Sequence, residues 1–238
     1  MPLWSADFAP FTPLHALTAA AFLSGIAAFL FVAHRLRATP RERTLRRGWI
    51  AFLILFQSFF IAWHLWPTHF DLRVSLPLQM CDVVPLLAIP ALASRSRPLL
   101  AIVFYWGLAL CTQAFITPTV QYGPASVRFW LFWITHAQII ASALYAPIAL
   151  DFVPTSRDLR TALLALLPYG LVVLTVNLAL DTNYAFAGKS KPSNPTILDH
   201  LGEWPLRPIF LALLAAAALI AMHGIAYAAS RRRAALNS

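Results

Sequence analysis

Charge is what this sequence has least of. Only 11% of its 238 residues are Asp, Glu, Lys or Arg, where a soluble domain carries roughly a quarter. With 60% hydrophobic residues and a mean hydropathy of +0.69, too little polar surface remains to wrap a water-soluble core. A soluble globule is excluded, and an integral membrane protein is implied. Cysteine is also scarce: two residues exclude a disulfide framework, and their spacing fits no zinc knuckle. Histidines one helical turn apart, as in a helical zinc hydrolase, are missing. His64 and His69 are five residues apart, so His64, His69, His136 and His200 do not read as a catalytic metal site. A basic n-region is missing ahead of the first apolar run, and six arginines follow that run. This reads as a retained signal anchor rather than a cleaved leader. Internal repeats and low-complexity tracts are missing as well. The net charge of +9 does not imply nucleic acid, because the arginines cluster between apolar segments, as topology signals do.

What is present is a set of seven apolar segments, each near the roughly 20 residues that cross a bilayer. They fall at Leu14–Ala33, Trp49–Trp66, Leu76–Ala93, Leu99–Ile116, Phe129–Leu150, Leu159–Leu180 and Leu206–Ala228. Backbone polar groups in lipid must be satisfied within the segment, so these are helices. The expected fold is all-α: one polytopic membrane domain over residues 1–238 with seven transmembrane helices. Alternate connections hold 13 of the 18 Lys and Arg residues, including the stretch "HRLRATPRERTLRRG" and the tail Arg231–Arg233. The positive-inside rule then puts the N-terminus out and the C-terminus in. Trp4, Trp63, Trp66, Trp130, Trp133 and Trp204 fall near the outer boundary, where an aromatic belt is expected. The longest loop, "DTNYAFAGKSKPSNPTILDHLGEWPLRP", lies on the same side and is rich in turn formers.

Polar residues converge in the outer half. If the third helix begins near Ser75, Cys81 lies roughly 9 Å in, and His136 on the fifth helix lies roughly 12 Å in, at 1.5 Å per residue. A thiol and an imidazole therefore meet if those helices touch. His64, Thr112, Gln113, Thr117, Gln138, Asn177 and Asn183 fall in the same layer, and the inner half is much poorer in such groups. Pro85 removes the hydrogen bond to the Cys81 carbonyl, so the third helix is expected to open or kink there. Asp82 is the only acidic residue inside any of these segments. It points about 100° away from Cys81 and shares a face with Gln79, which makes that pair structural or supporting. Against the functional reading stands a plain one: cysteines in membrane helices mostly pack, and His136, His64, Gln113 and Asn177 serve equally as interhelical hydrogen bonders. Lys189 and Lys191 are either solvated or attract lipid phosphates. His223 receives no role.

The ordered set "LPLQMCD", "FYWGLALCTQAFITPT", "FWITHAQII", "NLALDTNYAFAGKSKP" and "LDHLGEWP" resembles the YwaF-like family of bacterial integral membrane proteins, which looks related to eukaryotic transmembrane protein 164. The motifs cover about half the chain. The resemblance implies a seven-helix fold in the bacterial cytoplasmic membrane. From the eukaryotic relative it implies a phospholipid acyltransferase that works without coenzyme A, using a cysteine and a histidine. Those roles fall on Cys81 in "LQMCD" and His136 in "ITHAQ". Gln79 stands where relatives often carry histidine. A more distant resemblance is to androgen-induced membrane hydrolases of fatty-acid esters, which use threonine instead of cysteine.

Two activities follow, with a third, non-catalytic possibility. In the first, Cys81 attacks the ester of a membrane phospholipid and His136 takes its proton, because the thiolate is the nucleophile and a buried thiol needs an adjacent base. A lysophospholipid or water then accepts the acyl group, giving transfer or hydrolysis. Oxyanion donors are Gln113, Gln138 or Asn183. Gln79, Asp82, His64 and Asn177 join these as substrate-binding candidates, and no soluble cofactor is implied. In the second, the helix opened at Pro85 forms a transporter or small-molecule site. In the third, the polar layer is packing glue in a membrane scaffold.

Overall fold

The computed structural model describes residues 7–189, 198 and 201–236, with side chains through residue 231. Trp4, Lys191 and His200 lie outside the described residues. Among the described residues seven α-helices follow in order: α1 (Pro13–Leu36), α2 (Pro40–Leu65), α3 (Met80–Ser94), α4 (Arg97–Leu110), α5 (Val127–Ala149), α6 (Ser156–Leu180) and α7 (Leu206–Leu236). Short 3₁₀ turns occupy Thr112–Phe115 and Tyr184–Phe186. Among the described residues the only β pairing is an isolated bridge between Asp7 and Tyr122.

Six of the helical segments are long and apolar enough to cross a membrane, and α3 is a shorter apolar helix. Its 15 residues extend about 22 Å, less than the roughly 30 Å of a hydrocarbon core. The rest of its predicted segment is irregular chain. The chain is a multi-pass, all-α membrane protein. Large apolar side chains such as Phe31, Leu55, Leu167, Leu171 and Leu213 stand exposed on α1, α2, α6 and α7. In a soluble protein so much exposed apolar area would be anomalous; here it is the face toward lipid. The centre belongs to α4 and α5. They approach closely at Gly107, where an added Cβ would lie 3.0 Å from the Ala143 Cβ and 3.2 Å from Ile139 Cγ2. Small residues at helix contacts of this kind are typical of membrane packing.

Ion pairs and loop contacts show the helices alternating in direction. At one end, Arg37 after α1 pairs with Asp151 after α5, Glu42 of α2 with Arg95 after α3, and Arg97 of α4 with Asp158 of α6. This is the arginine-rich end. At the other, the Phe8 N–H donates to the Gln121 carbonyl, His15 of α1 meets the Phe115 carbonyl, and Tyr184 after α6 meets Leu72 before α3.

The helix ends depart from the apolar segments for physical reasons. α2 begins at Pro40, not Trp49. Proline fits the first helical turn, and Glu42 suits the positive end of the dipole. The charged turn is then stabilised by the Arg46–Glu42 pair at i,i+4, whose Nε–Oε1 distance is 2.9 Å. Glu42 and Arg46 are thus buried members of α2. With Asp158, Tyr145 and Ser142 they make the arginine-rich half rich in buried polar groups, against the expectation of a poor one. The belt also loses a member: Trp133 is 0% exposed and packs on Phe8, Phe22 and Phe115, while Trp66, Trp130 and Trp204 remain exposed.

Candidate functional site

The site is organised by the start of α3. Gln79 is its N-cap and Asp82 its third residue, in a reciprocal capping box; Asp82 Oδ2 accepts from the Gln79 N–H at 3.2 Å. Cys81 is therefore the second residue of the helix rather than a residue six into a span. Helix α3 runs unbroken through Pro85 and Pro90. The opening expected at Pro85 does not occur, and the irregular backbone instead precedes the helix.

The chain entering α3 is clamped from the α6 side. The Tyr184 hydroxyl donates to the Leu72 carbonyl at 2.6 Å and accepts from the Leu76 N–H at 3.0 Å. Burial pushes its phenol up, so it stays neutral in both bonds. The Gln79 Oε1 accepts from the Ala185 N–H at 2.9 Å, and the Tyr169 hydroxyl donates to the Leu78 carbonyl at 2.9 Å. Asn177 positions this clamp. Its Oδ1 accepts from Thr182 Oγ1 and the Tyr184 N–H, and its Nδ2 donates to the Tyr184 carbonyl. Asn183 Oδ1 accepts from the Gly188 N–H, and Arg207 reaches both Asn183 and the Gly188 carbonyl. Gln79, Asn177 and Asn183 are thus occupied by the chain itself.

Helices α2 and α5 each contribute a histidine in the same local arrangement. His136 Nδ1 lies 2.8 Å from the Phe132 carbonyl, and His64 Nδ1 lies 2.9 Å from the Phe60 carbonyl. A carbonyl only accepts, so Nδ1 carries the proton in each neutral ring and Nε2 keeps its lone pair. Each imidazole also lies against the phenylalanine one turn back, with centroids 4.3 Å apart in both cases. The sequence carries the twin as "FIAWH" and "FWITH".

These pieces surround one cavity of about 430 Å³. Cys81 and Asp82 of α3, His64 of α2, and Thr135 and His136 of α5 all line it. Cys81 and the two histidines therefore line one space. Cys81 is half-buried, His136 is 7% exposed, and Thr135 Oγ1 is buried without a partner. The rim is polar: His69, Asp71, Tyr122 and Arg128 close it. The Arg128 guanidinium lies 5.1 Å from the Tyr122 ring centroid and donates to its hydroxyl at 3.0 Å. Among the described residues, no three His, Cys, Asp or Glu side chains are grouped to hold a metal ion.

Gln113 and Gln138 are not brought to this cavity. Gln113 is exposed in the 3₁₀ turn after α4, where its carbonyl ends the helix. Gln138 is 1% exposed and faces the packed interior, with both amide atoms unpaired. Asp82 lines the cavity but is held as a cap, consistent with its structural reading. Lys189 is exposed, with its Nζ 4.6 Å from the Trp204 ring centroid. Sequence reasoning missed Thr135, His69, Asp71 and Arg128 as lining residues. Thr135 had a signal, since it adjoins His136. The others lie in loops or at a helix start, where a span-based depth argument does not reach. Gln57 of α2 is 3% exposed with Nε2 unpaired, and it does not line this cavity.

The family model described as TMEM164 family matches residues 10–227. No curated protein and no solved structure matches the chain.

Proposed function

The chain belongs to the TMEM164 family, and on that premise we propose that it is a thiol-dependent lipid acyltransferase acting on ester-linked membrane lipids. The observation that carries this reading is the shared cavity: Cys81 at the first turn of α3, facing the same space as an imidazole whose Nε2 is held ready as an acceptor.

The steps balance without a cofactor. His136 Nε2 takes the Cys81 proton as sulfur attacks the ester carbonyl carbon. The oxyanion is met by backbone N–H groups at the start of α3, where no backbone carbonyl accepts from Met80 or Cys81 among the described residues. The positive end of the helix dipole favours the charge that develops there. The carbon–oxygen bond breaks, the leaving hydroxyl takes the proton from His136, and a thioester remains on Cys81. An acceptor hydroxyl then attacks the thioester, the carbon–sulfur bond breaks, and the thiol regains its proton. His64, matching His136 in tautomer and placement, is the base for this second half. A lysophospholipid acceptor gives transfer, and water gives hydrolysis. Arg128 at the rim supplies the cation for the lipid phosphate.

The test is purified protein in mixed micelles with acyl-labelled phospholipid. Wild type is expected to carry label on Cys81 as a hydroxylamine-sensitive thioester and to release or transfer it. Turnover that persists in Cys81→Ala would remove the nucleophile from the scheme.

A further inference from the structure

A second cavity, of about 530 Å³, lies at the arginine-rich end, remote from Cys81. Its walls are Arg43, Arg46 and Arg47 of α2 with Ser94 and Arg95 of the α3–α4 corner, and Ile50 and Ala93 complete it. We propose that this cleft binds the phosphate of an anionic membrane lipid.

Three features separate it from an ordinary basic rim. First, four arginines line one concavity instead of being spread over the surface. Arg43 and Arg47 stand one turn apart on α2, and Arg95 lines the same concavity from the end of α3. Second, the wall is built. Arg46 is 6% exposed, with Nε 2.9 Å from Glu42 Oε1 and Nη1 2.6 Å from the Leu92 carbonyl. Arg95 adopts a left-handed conformation at the α3 C-cap, and its Nη2 donates to Glu42 Oε2 at 3.0 Å. Third, the charge is not cancelled. Glu42 is one carboxylate behind four guanidiniums, does not line the cleft, and also accepts from the Tyr145 hydroxyl. Arg43 and Arg47 are exposed and have no anionic partner among the described residues.

The apolar wall selects the source of the phosphate. Ile50 follows Arg46 by one turn along α2, deeper into the span, and Ala93 opposes it from α3. A phosphate on the arginines places the glycerol and first methylenes of a lipid against these two side chains. A free phosphate ion would leave them uncovered.

The full chain, purified in neutral detergent, is mixed with phosphatidylcholine and phosphatidylglycerol, and retained lipids are counted by native mass spectrometry. Wild type is expected to retain phosphatidylglycerol in preference. The double variant Arg43→Gln/Arg47→Gln leaves the Arg46–Glu42–Arg95 wall intact and is expected to bind roughly thirtyfold more weakly, about fivefold for each arginine at an anionic headgroup. Arg157→Gln/Arg160→Gln removes the same charge from exposed α6 positions outside the cleft and is expected to leave retention within about twofold, because remote surface charges are screened. Equal retention of the two lipids overturns the proposal. So does an equal loss in the α6 variant, which would indicate general surface potential, or displacement of the lipid by inorganic phosphate, which would indicate a free-ion site.

Discussion

At the arginine-rich end, buried polar groups use up one another's capacity. Glu42 accepts from Arg46, Arg95 and Tyr145. Asp158 accepts twice from Arg97, at 2.9 and 2.8 Å, and twice from Thr155, through its N–H and its hydroxyl. Trp49 donates to Ser142, and His223 meets both Tyr105 and Ser156. Around the other cavity, capacity is left over. Thr135 Oγ1 and His69 Nδ1 are buried without partners, and the Nε2 atoms of His64 and His136 keep lone pairs. Buried polar groups are costly unless paired. The satisfied set therefore reads as scaffold, and the unsatisfied set reads as a place for another molecule. The anion cleft lies beside the scaffold: it shares Arg46 and Arg95 with it and adds Arg43 and Arg47, which the scaffold leaves over.

The sharpest way to break this contrast is Cys81→Ala. The change is expected to lower acyl transfer by more than about ten-thousandfold, the scale seen when a nucleophile is removed. The melting temperature should stay within a few degrees, because a half-buried thiol beside a cavity packs little. A large loss of stability with activity retained would move Cys81 into the scaffold class.

Glu42→Ala is the mirror experiment. It strands Arg46, buried at 6% exposure, and removes the partner of Arg95 and Tyr145. Breaking one side of a buried pair costs about 3–5 kcal/mol. Denaturant or thermal unfolding should show that loss, while turnover per folded molecule stays at the wild-type value. A turnover defect without a stability defect would show that the arginine-rich end acts on the reaction.

The number and order of the helices were legible because long apolar runs in lipid have one solution. The local placement of Cys81 was not. Hydropathy runs smoothly from Leu76 into α3 and carries no mark of where hydrogen bonding begins; that is set by the Gln79–Asp82 capping box and by Tyr184, which is 108 positions from Leu76. That Cys81 and His136 sit near the same end of their helices was legible from depth; that both line one cavity depends on α3 packing beside α5, which depth does not report. The paired Phe–His turns were legible in principle as two i,i+4 repeats. The buried Glu42 network was hidden because a charged stretch reads as loop until its ion pair is seen. Gln113, Asn177 and Asn183 shared the depth of the site but face elsewhere, which depth does not report.

The paired histidines can be separated by their half-reactions. His136→Gln should prevent thioester formation. His64→Gln should permit it and slow its discharge by about a hundredfold, within the 10²–10⁴ range of general base catalysis. Labelled acyl-enzyme should then accumulate on Cys81 and be visible by intact mass. If both variants fail at the first step, His64 serves binding rather than the acceptor. A smaller effect is expected at Asn177→Ala. Its three hydrogen bonds to Thr182 and Tyr184 hold the clamp on α3, and their loss leaves buried groups unpaired at about 1–3 kcal/mol. Activity per folded molecule should also fall, because the backbone N–H groups at the start of α3 are no longer fixed. Unchanged specific activity would detach the clamp from the chemistry.

Gln138 tests the contrast at its margin. It is 1% exposed, both amide atoms lack partners, and it does not line the cavity. By burial it resembles the scaffold; by its unused capacity it resembles the site. Gln138→Leu nearly conserves volume and removes the unpaired amide, so stability should rise, by about 1 kcal/mol, since an unsatisfied buried group carries a penalty of that order. If the amide takes part only when substrate enters, the stabilised variant will turn over more slowly, as happens where function retains a locally unfavourable group. If the amide is unconnected to the reaction, stability will rise and turnover will not change. A fall in stability would show that the amide is already satisfied by water, and Gln138 would then join the paired groups of the scaffold.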